Sequence, residues 1–244
     1  MAHPDNADPA NQHAAKQGAA LSRRRALSMA GAMAASVGAA AAHAEPSHDE
    51  SDAGGGLVGE APAPANAVEF RARFVQTGAS GEDFAAYGYL TRAAGASPAD
   101  LFWGSVFNET TALLTAYAAG TLSRRVLDQS VHSLDIEGSL TIYQRAAPGA
   151  SFGSPASFQV GLAVARFDLT LQDILTVFAP AKGIPTLTGG MRQTLAEKLG
   201  GQPPGRRFGH TGSRARLFAT GLGTLVDPVT LNAALEMAGN WVLE

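Results

Sequence analysis

The stretch VHSLDIEGSLTIYQ, residues 131–144, alternates without a break. His132, Leu134, Ile136, Gly138, Leu140 and Ile142 fall on one side. Val131, Ser133, Asp135, Glu137, Ser139, Thr141 and Tyr143 fall on the other. Successive side chains of an extended chain point to opposite faces, so this period of two predicts a strand with one buried face. A strand of about fourteen residues is well beyond the usual five or six, and such length is common in barrels.

Other segments follow the same pattern. VEFRARFVQT sets Val68, Phe70, Ala72 and Phe74 against Glu69, Arg71 and Arg73. FAAYGYLTR sets Phe84, Ala86, Gly88 and Leu90 against Tyr87 and Tyr89, and the segment from Gly78 to Gly81 between the two suits a hairpin loop. Further strands are expected over 111–117, 122–128, 159–170, 174–178, 186–195, 214–225 and 240–243. The runs APGASFGSP, APAKGIP and GGQPPGRR supply turn chemistry between them. QTLAEKLGG is open to a short helix ending at Gly200, and PVTLNAALEMAG to a helical turn capped by Gly239. Nothing alternates strand with long helix. The expected fold is therefore all-β, an antiparallel barrel of about eight strands, with a two-sheet sandwich as the alternative. Closure is favoured because it removes exposed edges that a lightly charged sheet tolerates poorly.

Composition excludes several kinds of chemistry. The 244 residues contain no cysteine, which rules out disulfides, thiolate metal sites, cysteine nucleophiles and a lipid-anchoring cysteine. The net charge is −3, and the domain expected from residue 67 onward carries as many acidic as basic residues. Such a surface has no field to concentrate polyanions, so nucleic acid is not an expected partner. Histidine is sparse beyond residue 66. His132 and His210 belong to no His-x-His or His-Glu-x-x-His pattern, so no metal is expected. Gly221-x-Gly223 lacks the third glycine and the following helix of a dinucleotide fingerprint, and no phosphate-binding or Gly-x-Ser-x-Gly motif occurs. No cofactor is expected.

The remaining polar candidates are few. Asp135 and Glu137, two residues apart, share a strand face with Tyr143. Inside a barrel, burial would raise one of these carboxyl groups into the range of a general acid, whereas on the outer wall both would be solvated charges. The apolar character of the opposite face favours the outer wall. Arg206, Arg207, Arg214 and Arg216 cluster in sequence around His210 and could hold an anion, although Arg214 and Arg216 also fit the outer side of a strand. The ligand-contacting candidates are His132, Asp135, Glu137, Tyr143, Arg166, His210 and Arg214.

The N-terminal third reads differently. Ser22-Arg23-Arg24-Arg25-Ala26-Leu27 is followed by an uncharged run over 28–42, rich in Ala and Gly, that ends at Ala42-His43-Ala44. As a helix this run spans about 22 Å, short of the roughly 30 Å hydrocarbon core, so no stable membrane span is expected. Basic residues, a short apolar run and small residues at positions −3 and −1 mark an export signal cleaved after Ala44. The segment resembles the twin-arginine signal peptides on Ser22, Arg23, Arg24 and Leu27, and departs from them at Ala26 and Ser28. The resemblance implies transport of the folded chain by the twin-arginine translocase to the periplasm or the exterior. Residues 45–66 are acidic and rich in Gly and Pro, which predicts a disordered linker, with the barrel domain over 67–244.

Within that domain the Gly-Ser-Leu-Thr strand (Gly138–Thr141) and the Thr-Gly stretch leading to a Gly-x-Gly strand (Thr211–Leu225) resemble the allene oxide cyclase and dirigent barrel superfamily. This resemblance implies an eight-stranded antiparallel barrel with an apolar central cavity, often a homo-oligomer, and it transfers no catalytic residue. Three functions stay open. The first is an exported barrel that binds a small apolar or amphipathic ligand, which the apolar strand faces favour. The second is a cofactor-free isomerase or cyclase acting on a lipid-like substrate, which needs a buried polar group facing a cavity. The third is an envelope assembly or surface protein, which needs a large exposed apolar patch.

Overall fold

The computed structural model describes residues 67–200 and 205–243. The proposed export signal and linker lie outside the described residues. Eight strands form one closed antiparallel barrel in which each strand pairs with its neighbours in sequence. They are β1 (Ala67–Thr77), β2 (Asp83–Ala93), β3 (Leu114–Asp128), β4 (Val131–Gln144), β5 (Leu162–Ala179), β6 (Lys182–Ala196), β7 (Arg214–Asp227) and β8 (Asn232–Leu243). β8 returns to pair with β1, with Ala67 opposite Val242 and Phe74 opposite Leu235, and this leaves no edge strand.

The alternation in the sequence becomes the inside and outside of the barrel. The interior is apolar: Phe70, Ala72 and Phe74 from β1, Leu134, Ile136 and Leu140 from β4, Phe167, Leu169 and Leu171 from β5, and Leu235, Met237 and Trp241 from β8 are all buried. The outer wall of β4 to β6 presents Asp135, Glu137, Arg166, Asp168, Gln172 and Arg192. This is the reverse of a lipid-spanning barrel, which turns its apolar side outward. No helix among the described residues is long and apolar enough to cross a membrane.

Closing eight strands around a narrow core requires sharp coiling, and glycine supplies it. Gly120 and Gly138 face each other across β3 and β4. A Cβ on Gly138 would overlap the backbone carbonyl of Ala119, so the strands could not approach as they do with any larger residue there.

Several strand boundaries differ from expectation. The segments expected over 111–117 and 122–128 are one strand, β3, and those expected over 159–170 and 174–178 are one strand, β5. The gaps between them hold no turn chemistry; glycine and polar residues there continue the period of two. PVTLNAALEMAG is not a helical turn. Its second half is β8, because Leu235, Met237 and Gly239 keep the inward phase and pairing on both sides with β1 and β7 overrides helix propensity. In QTLAEKLGG, Gln193–Ala196 completes β6, and Lys198 bridges to Arg207.

The two ends of the barrel are unlike. At one end, long connections cover the opening. The β6–β7 connection carries Phe208, fully buried, onto Trp241 with ring centroids 6.4 Å apart, and Trp241 meets Phe70 at 5.4 Å. Gln193 holds that cover in place, its Nε2 donating to the carbonyl of Phe208 at 2.5 Å and to that of Leu195 at 2.9 Å. The β4–β5 connection, with a short helical turn at Pro155–Gln159, folds over the outside of β2 and β3. There Phe152 and Phe158 pack on Tyr87, and the Thr115 hydroxyl donates to the carbonyl of Phe158 at 2.9 Å. At the other end only hairpins join the strands, and that end is open.

Candidate functional site

The open end leads into a cavity of about 190 Å³. Its walls are Phe74 and Phe84 from β1 and β2, Leu134 and Ile136 from β4, Leu187 from β6, and Leu235 and Met237 from β8. Four lining positions hold very small residues, namely Ala181, Gly183, Gly223 and Ala233. A second void of about 40 Å³ lies deeper and also borders Phe74 and Phe84, whose rings meet at 5.4 Å.

The mouth is shaped by the hairpins. Gln129, Ala181 and Leu231 are the non-glycine residues with positive φ among the described residues, and each sits in one of these hairpins. The Pro180-Ala181 turn fits proline at the first central position and positive φ at the second. Three basic side chains line the cavity: Arg125, His132 and Lys182. Arg125 donates to the carbonyls of Ser80 and Gly81 at 2.7 and 2.6 Å. The Lys182 ammonium donates to the Thr224 hydroxyl at 2.9 Å. His132 Nε2 lies 3.3 Å from the carbonyl of Gln129.

One acid faces the cavity. Asp173 lies between Leu134 of β4 and Leu187 of β6 in register, and it is 4% exposed. Its Oδ1 is buried with no hydrogen-bond partner. Burial pushes its pKa up to about 6, only partly opposed by a hydrogen bond from the Thr186 backbone. No family model, curated protein or solved structure matches the chain. The site therefore has to be read from its own geometry.

The candidates named from sequence are scattered. Only His132 lines the cavity, half-buried near the mouth. Asp135 stands on the outer wall, where Arg124 Nε donates to it at 2.5 Å and Gln172 Nε2 at 3.3 Å. The hydrogen bond from Arg124 holds this carboxyl below its ordinary value. Glu137 and Arg166 are exposed on the same wall, and Tyr143 is half-buried and borders neither void. His210 and Arg214 are exposed at the covered end of the barrel, away from the cavity. Of the expected anion-binding arginines, Arg206 bonds to the Gly95 carbonyl and lies 3.5 Å from Asp100, while Arg207 donates to the Ala196 carbonyl at 2.8 Å. Among the described residues no group of His, Asp or Glu side chains converges as a metal site.

Asp173 is the residue that sequence reasoning missed. The signal was present: Phe167, Leu169, Leu171, Asp173, Leu175 and Val177 form one unbroken inward series. Splitting the strand before Ile174 placed the acid in a turn and hid its phase.

Proposed function

We propose that this barrel binds a small apolar molecule, admitted through its open end, after export of the chain. The observation that carries the reading is the cavity itself. An interior void lined by apolar groups weakens a fold, because its lining atoms lose contacts that packed side chains would make. Here glycine and alanine occupy four lining positions, so the space arises from the residues chosen. An enclosed apolar cavity of about 150 Å³ holds benzene, and this one, open at one end, is about 190 Å³. A ring-sized molecule or a short alkyl chain fits it. The export half of the reading rests on Ser22, Arg23, Arg24 and Leu27 and on the small residues before the cleavage point at Ala44.

The test is titration of the full chain with xenon and with toluene, followed by NMR of the methyl groups of Leu134, Leu187 and Met237. Saturable shifts confined to those methyls are expected, and Ala233→Phe, which fills the cavity, is expected to abolish them. Shifts that never saturate, or that spread evenly over the surface, would count against the reading.

A cofactor-free isomerase or cyclase is the second reading, favoured by one observation: a buried carboxyl in the wall of a mainly apolar cavity. A carboxyl poised near neutrality in a dry site suits proton transfer. Conversion of a bound compound on incubation, lost in Asp173→Asn, is its test.

A further inference from the structure

Asp173 has one partner within the chain, a hydrogen bond from the Thr186 backbone that leaves half of its carboxyl unmet. It caps no helix and forms no ion pair, and Oδ1 meets no donor. Leucine or valine at this position would continue the inward series of β5 and spare the fold a buried carboxyl, which is unfavourable unless paired. A carboxyl kept where an apolar residue would pack better, and facing a cavity, is waiting for a partner from outside the chain.

The charged neighbours do not supply that partner. Arg125 stands in the same tier, across Leu134, but its guanidinium is turned to the carbonyls of the β1–β2 hairpin. Lys182 lies at the start of β6, five residues and therefore about 16 Å before Leu187, the neighbour of Asp173, and it is held by Thr224. His132 is opposite Leu175, two residues nearer the mouth than Asp173 along β5. The remaining polar groups on the wall, Gln76 from β1 and Thr224 from β7, are uncharged.

Resting on the apolar-ligand reading above, we infer that the ligand is a hydrophobic amine: a small aryl or alkyl body in the cavity, with its ammonium group paired to Asp173. A hydroxyl could also donate to Oδ1. An ammonium donates and in addition neutralises the carboxylate, and hydrogen bonds between ionised partners are about twice as strong as neutral ones. A ligand carboxylate would meet Asp173 as a like charge.

Four probes of one shape separate these cases on the full chain: ethylbenzene, benzyl alcohol, benzylammonium and benzoate, titrated by calorimetry and methyl NMR at pH 7.5. Benzylammonium is expected to bind at least tenfold more tightly than ethylbenzene. Asp173→Asn is expected to remove that preference. Lowering the pH to 5 is expected to weaken benzylammonium as Asp173 takes up a proton. Repeating this in His132→Gln controls for the imidazole on the same wall. The inference is overturned if benzylammonium binds no better than ethylbenzene, if Asp173→Asn leaves their ratio unchanged, or if benzoate binds tightest. In each of those cases ethylbenzene still binds and the apolar-ligand reading stands. Failure of all four probes overturns the reading and the inference together.

Discussion

Asp173 lies two residues deeper along β5 than Leu175, the residue opposite His132, so the acid sits below the histidine on the cavity wall. Burial has opposite meanings at the two depths. His132 keeps access to solvent at the mouth, while Asp173 pays for its ionised form in a low-dielectric site.

That arrangement makes stability depend on pH in a defined direction. The folded-state pKa of Asp173 is about 6 against an ordinary 3.8, so between those values the folded chain holds more protons than the unfolded one. Stability from this group is full below the lower value and falls as the pH rises through the window. Asp173→Asn is therefore expected to stabilise the protein at pH 7.5 by up to roughly 3 kcal/mol, with the gain vanishing towards pH 4. Urea denaturation of both proteins across this range checks it. A difference that is constant with pH would show that Asp173 is not buried in its ionised form.

Phe74 and Phe84 form the wall between the two voids. Phe74→Ala should merge them, at a cost of about 3–5 kcal/mol of stability. The merged space should admit a chain such as n-hexylbenzene that the unaltered cavity refuses. Denaturation and ligand titration measure the two effects separately, and loss of stability without a longer ligand range would mean that the cavity had collapsed.

The architecture was legible in the sequence because β1 and β4 carry a clean period of two that the barrel keeps. Where the reading went astray, local signals competed with pairing. Gly120 looks like a break in β3 but is a point at which β3 and β4 approach too closely for a side chain, and Ala-rich β8 looks helical until it is held between β1 and β7. The site was less legible for a different reason. Asp135 and Glu137 stood out as a pair, yet a pair of acids on an outer strand face needs only water and Arg124. Asp173 is a single acid in an apolar series, and its significance depends on seven other strands supplying the cavity around it.

Two glycines on inward faces should respond oppositely to the same change. Gly138→Ala drives a methyl into the backbone of Ala119 and should destabilise the barrel by about 1–3 kcal/mol. At Gly223 the nearest atom to an added Cβ is the Gly183 carbonyl oxygen at 3.4 Å, followed by the Leu235 side chain at 3.6 Å. Gly223→Ala should therefore fold normally and shrink the cavity, weakening toluene binding. Thermal melts of the two variants decide the contrast.

The proposed export can be tested against the topology of the barrel. β1 finds one of its two partners only in β8, the eighth strand in sequence, so the sheet cannot close until synthesis has passed Leu243. Pairing of this kind is slow to form, because distant segments must meet before any contact rewards the loss of chain entropy. A route that carries folded proteins lets the barrel close before it crosses the membrane, whereas a threading route would hold β1 unpaired during passage. With both arginines replaced by lysine, as R23K with R24K, the charge is kept and only the twin-arginine pattern is lost. The full-length chain should then accumulate inside the cell, while the unaltered chain appears outside with its N-terminus at Glu45. Equal export of the two, measured by fractionation and N-terminal sequencing, would count against the twin-arginine route, and retention of both inside the cell would overturn the proposed export.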